Sequence, residues 1–119
     1  MQTILAIDDE RSVLESYNAI LKGQFKMLTA NSGPEGLALL EHNHADLILL
    51  DLMMPGMSGT DVLTELAKRD ERPPVVIVSG MNSVESAVKA MQHGAREYII
   101  KPFDIDQLTR VVERIINEE

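Results

Sequence analysis

Four short segments of the chain carry side chains suited to holding a metal ion and a phosphoryl group. They are Asp8-Asp9, Asp51, Ser79-Gly80 and Lys101-Pro102, and each follows a short apolar run. Three carboxylates brought together would repel one another and raise one another's pKa unless a cation joined them. Ligands made only of oxygen suit a hard cation, and we expect magnesium. The ammonium of Lys101 would add a positive charge suited to a phosphate oxygen.

Short apolar runs and helical repeats alternate along the chain and must position these side chains. Continuous apolar residues at 4–7, 47–50, 75–78 and 98–100, with a weaker run at 25–30, predict strands covered on both faces. Between them, helical spacing predicts amphipathic helices, clearest for Val13, Leu14, Tyr17, Ile20, Leu21 and for Leu108, Val111, Val112, Ile115, Ile116. Capping signals predict helix starts or ends at Ser32, Ser58, Asn82, Gly94 and Asp104.

This alternation predicts an α/β protein with a flavodoxin-like (βα)5 fold. We expect a doubly wound, five-stranded parallel sheet of order 2-1-3-4-5 with helices on both faces. The charge of Lys26 favours an edge position for the second strand. Strands 1 and 3 would then lie side by side at the point where ligands bind, beyond the carboxyl ends of the strands. The polar segments that follow strands 1, 3, 4 and 5 would therefore meet in one crevice.

Composition narrows the class of protein. The chain has 119 residues, and its 11 basic and 19 acidic side chains give a net charge of −8. This length predicts one domain spanning 1–119, and the acid excess argues against direct binding of nucleic acid or anionic lipid. Without cysteine, disulfides, thiolate zinc sites and cysteine nucleophiles are excluded. No signal-peptide pattern and no apolar run of about 18 residues is present, so we expect a cytoplasmic location.

Each polar residue also has an ordinary structural explanation when taken alone. Asp9 could cap the first helix, and Asp51 could form the turn before Pro55. Ser79 could satisfy its own loop, while Lys101 could be a solvated charge at a strand end. Their joint placement at the predicted switch point favours a shared phosphoryl and metal site over these separate explanations.

The segments AIDDE, LLDLMMPGMSG, VSG and YIIKPF, at these intervals, resemble the receiver domain of bacterial two-component response regulators over essentially the whole chain. The resemblance implies that Asp51 accepts a phosphoryl group from a phosphohistidine on a sensor histidine kinase or a phosphotransfer protein. It also implies that Mg²⁺ is held by Asp8, Asp9, Asp51 and the backbone carbonyl of Met53.

The resemblance further assigns roles to residues at the ends of strands 4 and 5. Ser79 and Lys101 would contact the phosphoryl oxygens, and the peptide bond between Lys101 and Pro102 would be cis. Tyr98 would be the aromatic switch that turns inward when Ser79 moves toward the phosphate. The face formed by helix 4, strand 5 and helix 5 would then control an output domain or a partner protein, with a homodimer as a further arrangement. We expect a longer regulator that carries a transcriptional effector.

Met53 and Met81 stand two residues beyond Asp51 and Ser79. Neither side chain can orient an attacking water as an amide or a carboxylate does. We therefore predict slow autodephosphorylation, with an aspartyl phosphate that lasts minutes or more, in a signalling domain rather than an enzyme. Packing of the two loops is the alternative role for these methionines.

Two other classes of function compete with this interpretation. A magnesium phosphohydrolase would use Asp51 as a turnover nucleophile, but haloacid-dehalogenase-like enzymes carry a second acid where this chain has Met53. A flavodoxin-like cofactor carrier lacks support, because no phosphate-binding glycine loop follows strand 1. The histidines are predicted to be surface residues outside the site; they are His42, His44 and His93.

Overall fold

Five strands alternate with five helices in the computed structural model, which describes residues 1–118. The elements are β1 (Thr3–Ile7), α1 (Arg11–Leu21), β2 (Lys26–Ala30), α2 (Gly33–His42), β3 (Leu47–Leu50), α3 (Gly59–Ala67), β4 (Val75–Ser79), α4 (Val84–Gln92), β5 (Glu97–Ile100) and α5 (Ile105–Ile116). The sheet is parallel throughout, in the order β2-β1-β3-β4-β5. The predicted topology is confirmed, including the edge position of the second strand.

The central strands are apolar without interruption because both of their faces are buried. Successive side chains of a strand point to opposite faces. One set packs against α1 and α5, and the other packs against the side that α2, α3 and α4 cover. The predicted apolar stripes of α1 and α5 are confirmed, since all ten residues lie in or against the first of these layers.

Local capping decides where the helices begin, and here one sequence prediction is wrong and one alternative explanation is excluded. Ser83, not Asn82, precedes α4, and its hydroxyl accepts the Ser86 N–H at 3.1 Å. Either side chain can cap a helix, so the path of the loop selects the residue. Asp9 does not cap α1, because Glu10 occupies the N-cap position without a side-chain bond. The Asp9 carboxylate is therefore not used by the helix.

The remaining capping signals are confirmed in place. Ser58 and Asp61 form a reciprocal capping box at the start of α3, and the Ser32 hydroxyl accepts the Glu35 N–H at the start of α2. Asp104 caps α5. Its side chain accepts the N–H of Asp106 and not that of Gln107, three residues after the cap. Gly94 follows α4 with a φ of 104°, the left-handed conformation that ends a helix there.

Gly59 allows α3 to start against the backbone of Asp51. A Cβ atom at position 59 would overlap the carbonyl oxygen of Asp51 and the Cα of Leu52. The N–H of Gly59 donates to the carbonyl of Leu52 at 3.1 Å, which holds this close approach. A residue with a side chain would push α3 away from the carboxyl end of β3.

Within residues 1–118, the helices are all too short or too polar to traverse a bilayer.

Candidate functional site

The carboxyl ends of β1 and β3 lie side by side and bring three carboxylates together. Ile7 pairs with Leu50 in the sheet, so Asp8 and Asp51 leave neighbouring strands at the same level. Carboxylate oxygens of Asp8, Asp9 and Asp51 lie within 4.8 Å of one another. Asp8 is 0% exposed and Asp51 is 3% exposed, whereas Asp9 faces solvent.

Lys101 completes this cluster from the end of β5. Its Nζ lies 2.8 Å from Oδ2 of Asp8 and 3.2 Å from Oδ2 of Asp51. The backbone N–H of Lys101 donates to the carbonyl of Ser79 at 2.9 Å, which ties the end of β5 to the end of β4. The Lys101–Pro102 peptide bond is cis. The ammonium thus bridges two buried carboxylates that belong to different strands.

Burial and neighbouring charges shift the pKa values of Asp8 and Lys101. Burial raises the pKa of Asp8 above its ordinary value, although Lys101 and the Glu10 N–H oppose that shift. Burial lowers the pKa of Lys101, but its hydrogen bond to Asp8 and the charge of Asp51 outweigh burial and raise it overall. The site therefore holds excess negative charge that one ammonium only partly offsets, and a further cation would be stabilised there.

The backbone of the two loops is bound to the side chains that begin them. The N–H of Met53 donates to Oδ1 of Asp51 at 3.1 Å, and the N–H of Met81 donates to the Ser79 hydroxyl at 3.3 Å. Ser79 is fully buried at the end of β4. These bonds orient the carboxylate and the hydroxyl, while the Met53 and Met81 side chains remain exposed.

Tyr98 connects β5 to the loop after β4. Its hydroxyl donates to the carbonyl of Met81 at 2.6 Å, and burial raises the pKa of Tyr98. The ring is half-buried beside Ser79 and packs against the core layer that contains Ala90 of α4. Tyr98 therefore joins the polar site to a helix face through a direct hydrogen bond to the loop that carries Met81.

Two contacts at this site were not predicted from the sequence. Oε1 of Glu10 lies 3.4 Å from Nζ of Lys101, so a third acid faces the ammonium; its adjacency to the acidic pair was the only available signal. The ring of Tyr17 stacks on Phe103, with centroids 5.6 Å apart. This stack packs α1 against the segment just after Lys101. The sequence predicted Tyr17 only as part of the apolar face of α1.

The donor set fits magnesium. Carboxylate oxygens come from three residues, two of them buried, and no histidine joins the cluster in residues 1–118. Mg²⁺ prefers oxygen ligands and is bound by few carboxylates, with water and phosphate oxygens completing its coordination. The Lys101 ammonium bridges two of these carboxylates. The site therefore already stabilises one positive charge.

The family model for the response regulator receiver domain matches residues 4–113. The chain belongs to this family. Phosphorylation on an aspartate is the role of receiver domains in two-component systems. The match begins one residue inside β1 and ends within α5, so the receiver domain includes every element that surrounds the acidic cluster.

Curated relatives of this receiver domain are longer regulators. Regulatory protein AtoC of Escherichia coli (strain K12) is 38% identical over 114 residues, which are 95% of this chain and 25% of the relative. Cell cycle response regulator CtrA of Brucella ovis is 36% identical over 114 residues, covering 95% of this chain and 49% of the relative. The chain thus spans a quarter to about half the length of these relatives.

Solved receiver domains have the same architecture. A CheY-like response regulator receiver domain protein from Methanospirillum hungatei JF-1 superimposes with a TM-score of 0.93 at 30% identity, covering 99% of this chain and 95% of the other. A receiver domain protein from Clostridium thermocellum gives a TM-score of 0.89 at 35% identity, with 98% and 95% coverage. The flavodoxin-like fold predicted from the sequence is confirmed.

The histidines lie away from the acidic cluster, in or after the ends of helices. His42 and His44 are exposed around the end of α2, and His93 follows α4. The ring of His93 is hydrogen-bonded to the carbonyl of Lys89. These positions belong to the edge of the sheet where the strands begin, opposite the edge that carries Asp51.

Proposed function

We propose that this receiver domain accepts a phosphoryl group on Asp51 from the phosphohistidine of a sensor histidine kinase or a phosphotransfer protein. The observation that carries the proposal is the Lys101 ammonium, which bridges Asp51 and Asp8 inside an all-oxygen cluster of carboxylates. Phosphoryl transfer needs positioning and charge neutralisation more than covalent help from the protein. A buried carboxylate held beside a fixed cation meets both needs.

In the transfer step, one carboxylate oxygen of Asp51 attacks the phosphorus of the phosphohistidine. The new P–O bond forms as the P–N bond breaks, and the imidazole nitrogen leaves with the electron pair. The Met53 N–H orients the Asp51 carboxylate through its bond to Oδ1. Lys101 and the Ser79 hydroxyl then contact the phosphoryl oxygens, since Lys101 already lies 3.2 Å from Asp51.

Mg²⁺ would be held by Asp8, Asp9, Asp51 and the backbone carbonyl of Met53. When bound, it supplies positive charge that offsets the phosphoryl oxygens and the acceptor carboxylate. The exposed Asp9 carboxylate, which caps no helix, is free for this role. Release of Asp8 from Lys101 on metal binding would leave the ammonium for the phosphoryl group.

Ser79 and Tyr98 would transmit the structural change that phosphorylation causes to the surface of the domain. A shift of the Ser79 hydroxyl toward the phosphoryl group also moves the Met81 backbone, to which both Ser79 and Tyr98 are bonded. The face of α4, β5 and α5 would respond and control an output domain, a partner protein or a second copy of the chain. This face carries exposed apolar side chains, namely Val84, Val88, Met91, Ile100 and Ile105.

The domain would act in the cytoplasm as one unit over residues 1–119, without binding nucleic acid or a membrane itself.

We also propose slow autodephosphorylation rather than enzymatic turnover. Met53 and Met81 flank the acceptor, and neither thioether is a strong hydrogen-bonding group for an attacking water. In this respect the site differs from that expected of a magnesium phosphohydrolase.

Intact-mass measurement with Mg²⁺ and acetyl phosphate tests the proposal. We expect a single phosphoryl adduct that Asp51→Asn abolishes. Asp70→Asn is the matched control, because Asp70 is exposed in the loop after α3. Absence of the adduct, while a known receiver domain is labelled in the same mixture, would contradict the proposal. Continuous release of phosphate from the donor at many turnovers per minute would favour the phosphohydrolase instead.

A further inference from the structure

Two exposed methionines stand directly beside the buried acceptor and the buried hydroxyl. The Met53 side chain is 58% exposed and the Met81 side chain is 37% exposed. Their backbone N–H groups bind Asp51 and Ser79, which places each of them within one hydrogen bond of the site. Met54 and Met57, which follow Met53 in the same loop, are buried or half-buried.

Exposure makes Met53 and Met81 accessible to oxidants, and oxidation reverses their chemical character. A thioether sulfur takes one oxygen atom from a peroxide: the O–O bond breaks, the S–O bond forms, and the peroxide is reduced to water or an alcohol. The flexible apolar side chain becomes a polar sulfoxide. Its oxygen is a hydrogen-bond acceptor, whereas the thioether accepts only weakly.

We infer that Met53 and Met81 form a peroxide-sensitive modification site that shortens the lifetime of the phosphoryl group on Asp51. The inference rests on the proposed function. Asp51 and Ser79 are almost fully buried, and the exposed residues bonded to them through backbone N–H groups are Met53 and Met81, so we place both side chains at the solvent border of a phosphoryl group there. A sulfoxide oxygen at that border can hold and orient a water that the thioether leaves unbound.

Met81 carries a second consequence of the same modification. It lines the groove between α3 and α4 together with Leu52, Ser58 and Lys89. Its carbonyl also accepts the Tyr98 hydroxyl at 2.6 Å. A larger polar group at position 81 therefore alters the loop that joins the acceptor site to Tyr98, besides changing access to water.

The test uses limited hydrogen peroxide, peptide mapping of the added oxygen, and then loss of phosphate after removal of acetyl phosphate. Each protein is compared with its own untreated sample. We expect oxidised protein to lose the phosphoryl group about fivefold faster, the rate effect of one net hydrogen bond of ~1 kcal/mol. Treatment with the two methionine sulfoxide reductases should restore the original lifetime.

Matched variants separate the site from other exposed methionines. The double variant Met53→Leu with Met81→Leu should show no peroxide effect, although Met1 and Met91 remain exposed and oxidisable in it. Met91→Leu should keep the full effect. Equal acceleration in the double variant, or an unchanged lifetime after mapped oxidation of both residues, would overturn the inference. Failure of untreated protein to form any adduct would instead contradict the proposed function and this inference together.

Discussion

Adjacent acids in this receiver domain have different environments and therefore different roles. Asp8 is buried and bonded to Lys101, while Asp9, one residue later, faces solvent. Glu10 is exposed as well, yet its carboxylate also reaches Lys101. Asp8 and Glu10 both reach the Lys101 ammonium, one from a buried and one from an exposed position, whereas Asp9 makes no such contact. A single charge-removing substitution should therefore have a distinct effect at each position.

Also at the residue scale, Met53 and Met81 should control how long a phosphoryl group persists on Asp51, the proposed acceptor. Replacing Met53→Asn, Met81→Glu or both introduces groups that hydrogen-bond water strongly. We expect each variant to lose phosphate several-fold faster, because about 1 kcal/mol of added stabilisation changes a rate about fivefold. The measurement is the decay of the intact-mass adduct after the donor is removed.

The control for Met81→Glu is Met91→Glu, which adds the same charge near the end of α4. Unchanged or slower decay in the Met53 and Met81 variants would show that the two methionines only pack their loops.

At the scale of elements, close packing of helices against strands positions the site residues. Gly36 of α2 lies directly on Ile7, the last residue of β1 before Asp8. A Cβ atom at position 36 would overlap the Cδ1 atom of Ile7, which is fully buried. The absence of a side chain thus brings α2 against the strand end that presents Asp8.

We expect Gly36→Ala to lower the free energy of unfolding by about 1 kcal/mol, since overpacking costs ~1–3 kcal/mol and alanine regains at most ~1 kcal/mol of helix propensity. Ile7→Val removes the nearer of the two overlapping atoms, Cδ1, and leaves a γ carbon at the position of Cγ1, which lies 2.8 Å from the added Cβ. In that background Gly36→Ala should cost less than it does beside isoleucine. Urea denaturation of the four proteins of this double-mutant cycle measures the coupling.

Gly23→Ala serves as the comparison, because a Cβ atom there meets nothing within 4 Å. An equal cost for Gly36→Ala with isoleucine and with valine at position 7 would contradict this account of how α2 packs.

At the scale of the whole molecule, the net charge of −8 includes a local excess at the acidic cluster. Asp8, Asp9 and Asp51 carry negative charge that Lys101 only partly offsets. A cation that binds this cluster in the folded state alone must stabilise folding by mass action. Magnesium binding should therefore be detectable as a gain in global stability.

We expect Mg²⁺ to raise the thermal unfolding midpoint, with a gain of about 2.7 kcal/mol at a concentration 100 times its dissociation constant. Asp9→Asn should reduce this gain strongly, because it removes the negative charge of a proposed ligand without disturbing the core or a helix cap. Thermal unfolding followed by circular dichroism, with and without Mg²⁺, measures the effect. Asp70→Asn provides the control, and a gain of equal size in both variants would contradict the assignment of Asp9 to the metal site.

The sequence alone determined the alternation of strands and helices, their order in the sheet, and the meeting of Asp8, Asp51, Ser79 and Lys101 at one edge. These conclusions follow from local properties: continuous apolar runs need burial on both faces, and parallel strands end at the same edge. Capping signals located most helix starts, but not the one at Ser83, since two neighbouring residues could serve.

Only the tertiary structure decided which partners the site residues have. Lys101 is 93 residues from Asp8 along the chain, and nothing local to either residue fixes the 2.8 Å between them. The same is true of the Glu10 contact, the stack of Tyr17 on Phe103 and the Tyr98 bond to Met81. Each depends on side-chain direction and on the distance between separate elements, which are set when the helices pack against the sheet.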